Sequence, residues 1–142
     1  MQGSIVKADI IILDKRHTAL ARSAKRILEK AGKALPFHDA QCAVYIADDA
    51  QMEAVAKEAS HPYHEGVTML AFPADAHFPR PDLHGLRDMG DIYINPGYIQ
   101  KKKENFSFML IHGLLHLAGY DHNGKHDTLA MEKKEKELLA TL

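Results

Sequence analysis

Tryptophan is absent from this 142-residue chain, aromatic residues make up only 7% of it, and Cys42 is its single cysteine. One cysteine excludes an intramolecular disulfide framework and a cysteine-rich zinc site, and it fits a reducing cytoplasm. No apolar run approaches the roughly 18 residues of a membrane span. The opening stretch MQGSIVKADIIILD has no basic region, long apolar segment or small-residue cleavage site of a secretory signal, so a protein without membrane association is expected. A surplus of one charge sign is also missing: the formal net charge is −1, which gives no global attraction to polyanions. The charge is unevenly placed, however. Residues 1–47 hold eight Lys or Arg against four acids (+4), residues 48–100 three against nine (−6), and residues 101–142 seven against six (+1). A local basic surface therefore remains available.

With 46% apolar and 26% charged residues, the chain reads as one soluble domain over residues 1–142. A domain of that length buries a core without a disulfide or a structural metal, so a metal here would serve chemistry. Hydrophobic periodicity predicts alternating strands and helices. Residues 4–13, ending in Ile10, Ile11, Ile12 and Leu13, suit a buried strand, and residues 15–31 switch to helical spacing before Gly32. Residues 41–47 alternate as a second strand, and Asp48 or Asp49 can cap a helix through about Ala59. His61-Pro62 breaks that helix, and Val67–Phe72 reads as a third strand. An irregular segment reaches about Met89, and Asp91–Ile94 is a short fourth strand ended by Asn95-Pro96-Gly97. From about Glu104 a nearly all-apolar, hence central and buried, helix runs to Gly119, and residues 127–140 form a last helix. The expected fold class is α/β: one domain with about four strands in a mixed sheet, packed by helices.

Ten histidines are present, and three define a pattern in His112-Gly113-Leu114-Leu115-His116-Leu117-Ala118-Gly119-Tyr120-Asp121-His122. Residues four apart share a helix face, so His112 and His116 can direct ring nitrogens at one ion. Gly119 permits the turn that brings His122 back as a third ligand. Three imidazoles leave one tetrahedral position open, as hydrolytic zinc sites require, and zinc is the ion that suits such a donor set. The plainer alternative is three histidines satisfied by ordinary hydrogen bonds; two imidazoles on so apolar a helix would then need other partners. The spacing equals that of metzincin proteases, HExxHxxGxxH, except that Gly113 stands where those enzymes carry their glutamate general base. Met131 reads as a core residue rather than a methionine floor. His126 reads as a solvated loop histidine, and Asp121 as a candidate proton acceptor beside a ligand.

The same eleven residues resemble the HGxLHLxGYDH signature of the YbeY family, zinc-dependent endoribonucleases of ribosomal RNA maturation, and match it at every fixed position. Ala47-Asp48-Asp49, Leu70-Ala71-Phe72-Pro73, Gly90-Asp91-Ile92, and Met131 with Glu135 resemble flanking segments of that family in the same order. The resemblance covers about residues 40–140. It implies a single α/β domain, one zinc ion held by His112, His116 and His122, and endoribonuclease action on ribosomal RNA at the small ribosomal subunit. Two departures stand near where substrate should sit. Val55-Ala56-Lys57-Glu58-Ala59-Ser60 lacks the arginine the family carries there, and Ala71 replaces the serine of LSFP.

A basic helix face offers separate support for an RNA partner. Leu20, Ala24, Ile27, Leu28 and Ala31 cluster on one side of the first helix, with Lys15, Arg22, Lys25, Arg26, Lys30 and Lys33 on the other. Arg22, Arg26 and Lys30 are the candidate phosphate contacts, against the alternative of a merely solvated face. Lys101, Lys102 and Lys103, or Arg80 and Arg87, are the next candidates. The sequence thus points to a metal-dependent endoribonuclease with no catalytic side chain assigned beyond the ligands. A metzincin-like zinc peptidase and a catalytically weak, zinc-containing ribosome-binding factor are the alternatives.

Overall fold

The β-branched and alternating segments pair into one sheet. The computed structural model describes residues 5–36, 39–75, 80–121 and 123–142. Ser4, His38, His77 and His122 lie outside them. Strands β1 (Val6–Ile12), β2 (Ala40–Ile46), β3 (Met69–Pro73) and β4 (Arg87–Ile94) lie in the order β1-β2-β4-β3. β1, β2 and β4 run parallel, and β3 pairs antiparallel with β4, giving the expected mixed sheet. Along β2, Ala40, Cys42, Val44 and Ile46 are buried while Gln41, Ala43 and Tyr45 are only partly so. One sheet face is therefore sealed more completely than the other.

The sealed face carries three helices, α1 (Leu20–Gly32), α4 (Phe106–Leu117) and α5 (Lys125–Leu139). Ala24, Ile27, Leu28 and Ala31 of α1 meet Leu110, Ile111, Leu114 and Leu115 of α4 above Val44, Ile46, Ile92 and Ile94, with Met131 and Leu138 of α5 behind them. Each such Leu or Ile, fully buried, stabilises the fold by about 1.5–3 kcal/mol relative to exposure. On the other face, α2 (Asp49–Glu58) packs Met52 and Ala56 on Leu70, with Phe72 and Tyr93 at the margin. At the sheet edge, Glu29 Oε2 accepts from the Ala8 N–H (3.1 Å) and Lys25 Nζ donates to the Ala8 carbonyl (2.8 Å). This ion pair occupies backbone groups that would otherwise be open to another strand.

Several boundaries differ from the sequence reading; β3 covers Met69–Pro73 rather than Val67–Phe72, and α5 starts at Lys125 rather than residue 127. Residues 15–17 form a separate 3-10 turn, because the Asp14 carboxylate accepts from Arg16 N and binds its guanidinium, and α1 begins only at Leu20. β4 starts at Arg87 rather than Asp91, since its polar first residues still pair with Ala40 and Gln41. Asn95-Pro96-Gly97, read as a turn, opens a short helix, α3 (Pro96–Lys101), with Asn95 capping the N–H of Tyr98. Lys101 is the last residue of α3 and Lys102 its C-cap, and Lys103 takes a positive φ of 57° before Asn105 caps α4.

Candidate metal centre

α4 carries the histidine pattern on an incompletely buried stripe. Phe108, His112 and His116, four residues apart, are partly exposed between the fully buried Leu110, Ile111, Leu114 and Leu115. Phe108 stacks on His112 with ring centroids 5.8 Å apart. The Nε2 atoms of His112 and His116 lie 3.2 Å from each other. Two nitrogens about 2.0–2.1 Å from one tetrahedral zinc stand about 3.3 Å apart, so the pair already has the edge length a shared ion needs.

Behind His112 stands Glu135 of α5, only 5% exposed, whose Oε2 accepts from His112 Nδ1 at 2.8 Å. That bond fixes the tautomer with the proton on Nδ1 and leaves the Nε2 lone pair facing His116. The sequence placed Glu135 only in a flanking match. A buried carboxylate four residues after the core residue Met131 was the available signal, since both fall on the helix face turned to α4. The donor set thus fits zinc: two imidazole Nε2 atoms 3.2 Å apart, with a carboxylate holding one of the rings.

His122, the expected third ligand, lies outside the described residues; among those described, no three His, Cys, Asp or Glu side chains gather as a cage. Gly119 has the positive φ (100°) of a helix-ending turn, which directs the chain toward Asp121. Asp121 accepts from the N–H and side-chain amide of Asn123, a local loop role. His126 is exposed on the first turn of α5. Gly113 has a packing reason unconnected with proton transfer. A Cβ there would meet Ile92 carbons at 3.2–3.3 Å, so a side chain at 113 would start against the sheet and not beside the imidazoles.

The three candidate phosphate contacts share the exposed surface of α1. Arg22, Arg26 and Lys30 line one shallow depression with Lys25, Glu29 and Lys33, and Arg26 and Lys30 border a second with Ser107 and Leu142. Lys25 is committed to Glu29 and the Ala8 carbonyl. A further depression of about 290 Å³ joins Arg80, Arg87 and Leu117, at the end of α4 that carries His116. Arg80 is engaged there by Asp82 and Asp88. Its charge is largely spent within the fold.

Comparison with known proteins agrees with this architecture. A family profile described as endoribonuclease YbeY matches residues 9–142. The endoribonuclease YbeY of Bradyrhizobium sp. is 30% identical over 91% of this chain and 78% of that protein. That of Geobacter metallireducens is 26% identical over 96% of each. A match to the Wolbachia protein of the same description is shorter, 38% identical over 46% of this chain and 49% of that one. The solution structure of TM1509 from Thermotoga maritima shares the fold, with a TM-score of 0.57, 23% identity, and coverage of 94% of this chain and 89% of that one. With a profile spanning nearly the whole chain and relatives aligned over more than nine-tenths of it, this chain belongs to the endoribonuclease YbeY family.

Proposed function

We propose that this chain is a zinc-dependent endoribonuclease that cuts RNA phosphodiesters, with ribosomal RNA of the small subunit as its substrate and the cytoplasm as its compartment. The observation that carries the reading is the convergence of His112 and His116 Nε2 at 3.2 Å with Glu135 fixing the first ring. His112, His116 and His122 would hold one zinc ion. When bound, a zinc ion supplies Lewis acidity, which stabilises charge on a phosphoryl group and makes water acidic enough to attack near neutral pH.

The chain's own residues do the rest. Glu135 holds the His112 ring aligned through Nδ1, so that ring spends nothing on reorientation. Phe108 lies against the same ring, with ring centroids 5.8 Å apart. Arg22, Arg26 and Lys30 offer cations to the RNA backbone. Ser107, beside Arg26 and Lys30, is five and nine residues from the two ligands, about 7–14 Å along the α4 axis. Phosphates neighbouring the scissile one would then fall within reach of that face. No helix among the described residues is long and apolar enough to cross a membrane.

The test is incubation of the purified protein with a small-subunit ribosomal RNA precursor. Slow internal cleavage is expected, abolished by a chelator and in His116→Ala, with casein left intact. RNA cleavage that persists in both conditions would remove the metal from the reaction. Turnover of casein lost in His116→Ala would make this a peptidase instead. Zinc and ribosome binding without cleavage would make it a binding factor.

A further inference from the structure

The three parallel strands end together. Leu13 and Asp14, after β1, donate to the Ile46 carbonyl that closes β2, and Ala47 donates to the Ile94 carbonyl that closes β4. The crevice outside such carboxyl ends is where open α/β sheets most often hold ligands. Here a pocket of about 390 Å³ opens between the residues that leave β1, those of α3 that leave β4, and the first turn of α4. That volume lies in the range of small-ligand sites. Leu20, Pro96, Ile99 and Phe106 give it apolar walls, and Arg16, His17, Gln100 and Glu104 supply its polar groups.

These polar groups define what the pocket can recognise. The buried carboxylate of Asp14 binds the Arg16 guanidinium through Nε (3.0 Å) and Nη2 (2.9 Å), and His17 Nε2 lies 3.7 Å from it. Arg16 is thereby held in one orientation with its charge balanced, and its Nη1 makes no hydrogen bond to any described residue. Glu104 is exposed; its Oε2 accepts from Thr68 Oγ1 at 3.4 Å, and the carboxylate retains lone pairs for further donors. The exposed Gln100 amide both donates and accepts. A phosphate would meet no surplus of positive charge here and an aliphatic group would leave these atoms unused. A flat heteroaromatic ring with donors and acceptors along its edge satisfies them. Guanine offers adjacent N1–H and N2–H donors to one carboxylate, and O6 and N7 acceptors to a guanidinium; adenine lacks that donor pair.

We propose that this pocket receives one unstacked guanine base of an RNA strand, with Glu104 accepting from its N1–H and N2–H, Arg16 Nη1 donating to O6, and the ring lying against Leu20 and Phe106. The inference deepens the endoribonuclease reading and rests on it. The pocket adjoins the basic face: Leu20 precedes Arg22 by two residues, and Phe106 is next to Ser107, which lines a depression with Arg26 and Lys30. Phe106 is six residues before His112, about 9 Å along α4. Turning a base out of its stack costs least where it is unpaired, so the pocket would direct cleavage to the neighbourhood of unpaired guanosines.

The test titrates the full nitrogen-15-labelled chain, without added metal, with guanosine, inosine and adenosine 5′-monophosphates and with ribose 5-phosphate. Saturable shifts are expected at the Leu20, Gln100 and Phe106 amides with the guanosine nucleotide, weaker ones with inosine, which lacks the N2 amine, and none with ribose 5-phosphate. Glu104→Gln should weaken guanosine monophosphate about fivefold to tenfold and remove the preference over inosine. No saturable shift at these amides with the guanosine nucleotide would overturn the proposal on the native chain, whatever the variant does. Equal affinity for the adenosine nucleotide, or the same shifts with ribose 5-phosphate, would overturn it as well, the latter assigning the pocket to phosphate. Because this titration contains neither metal nor cleavable RNA, its failure strikes the pocket alone, whereas failure of the nuclease reading appears only in the cleavage test.

Discussion

Glu135 decides which nitrogen of His112 faces outward. Its carboxylate sits 2.8 Å from Nδ1 inside the α4–α5 contact. Glu135→Gln should therefore lower zinc affinity about 10–100-fold with the fold retained, measured by competition against a chromogenic chelator. Unchanged affinity would leave the ring held by packing alone. Asp91 makes a prediction in pH. Its folded-state pKa lies above the ordinary 3.8, so the native state binds this proton more tightly than the unfolded one. The resulting stabilisation is complete below the ordinary value and is lost as pH rises through the raised folded value. Asp91→Asn should then raise the melting temperature at pH 7 and change it little at pH 3. Burial pushes the Cys42 thiol up to about 12, so iodoacetamide at pH 8 should modify it only as the chain unfolds, at a rate that rises with urea. Gly113 was legible as the absence of a base. Its contact with Ile92 was not, because one sequence does not show which strand faces a helix.

The elements were most legible where one periodicity ran uninterrupted. Buried Ala24, Ile27, Leu28 and Ala31 on α1, and the apolar α4, follow directly from helical spacing. Asp48 caps α2 through a reciprocal box with Gln51, as its sequence allows. Reading failed where one signal serves two structures. Asn95-Pro96-Gly97 suits a turn, but an Asn cap with proline in the first turn also starts a helix, and here it starts α3. The beginning of β4 was hidden because Arg87 and Asp88 are polar, and only pairing with β2 makes them strand. Gly90 sits in that strand at φ 118°, where an added Cβ would lie 2.2 Å from the Phe72 carbonyl oxygen. Gly90→Ala should destabilise the protein by at least about 2 kcal/mol in urea unfolding, through strain and displacement of β3. A smaller loss would mean that β3 separates from β4 at little cost.

The histidine-bearing helix α4, the basic first helix and the sheet face that carries Asp91 and Tyr93 occupy different surfaces of this molecule. Their sum is near zero charge, which is why net charge gave no hint of them. If α1 grips RNA, changing Arg22, Arg26 and Lys30 together to Gln should flatten the slope of log affinity against log salt by about two to three. Zinc content should stay the same, because none of the three touches α4's histidines. An unchanged slope would return α1 to a solvated surface and move the contact to Arg87 or Lys101–Lys103. The His112–His116 pair was legible in full from spacing; Glu135 was not, since it comes from another helix that only tertiary packing brings to 2.8 Å. The central claim is that this pair holds the ion on which the proposed cleavage depends. Metal analysis after exhaustive dialysis tests it most directly. About one zinc per native chain is predicted, falling to near zero in His116→Ala, whereas a His116→Ala protein that keeps its full zinc would contradict the account.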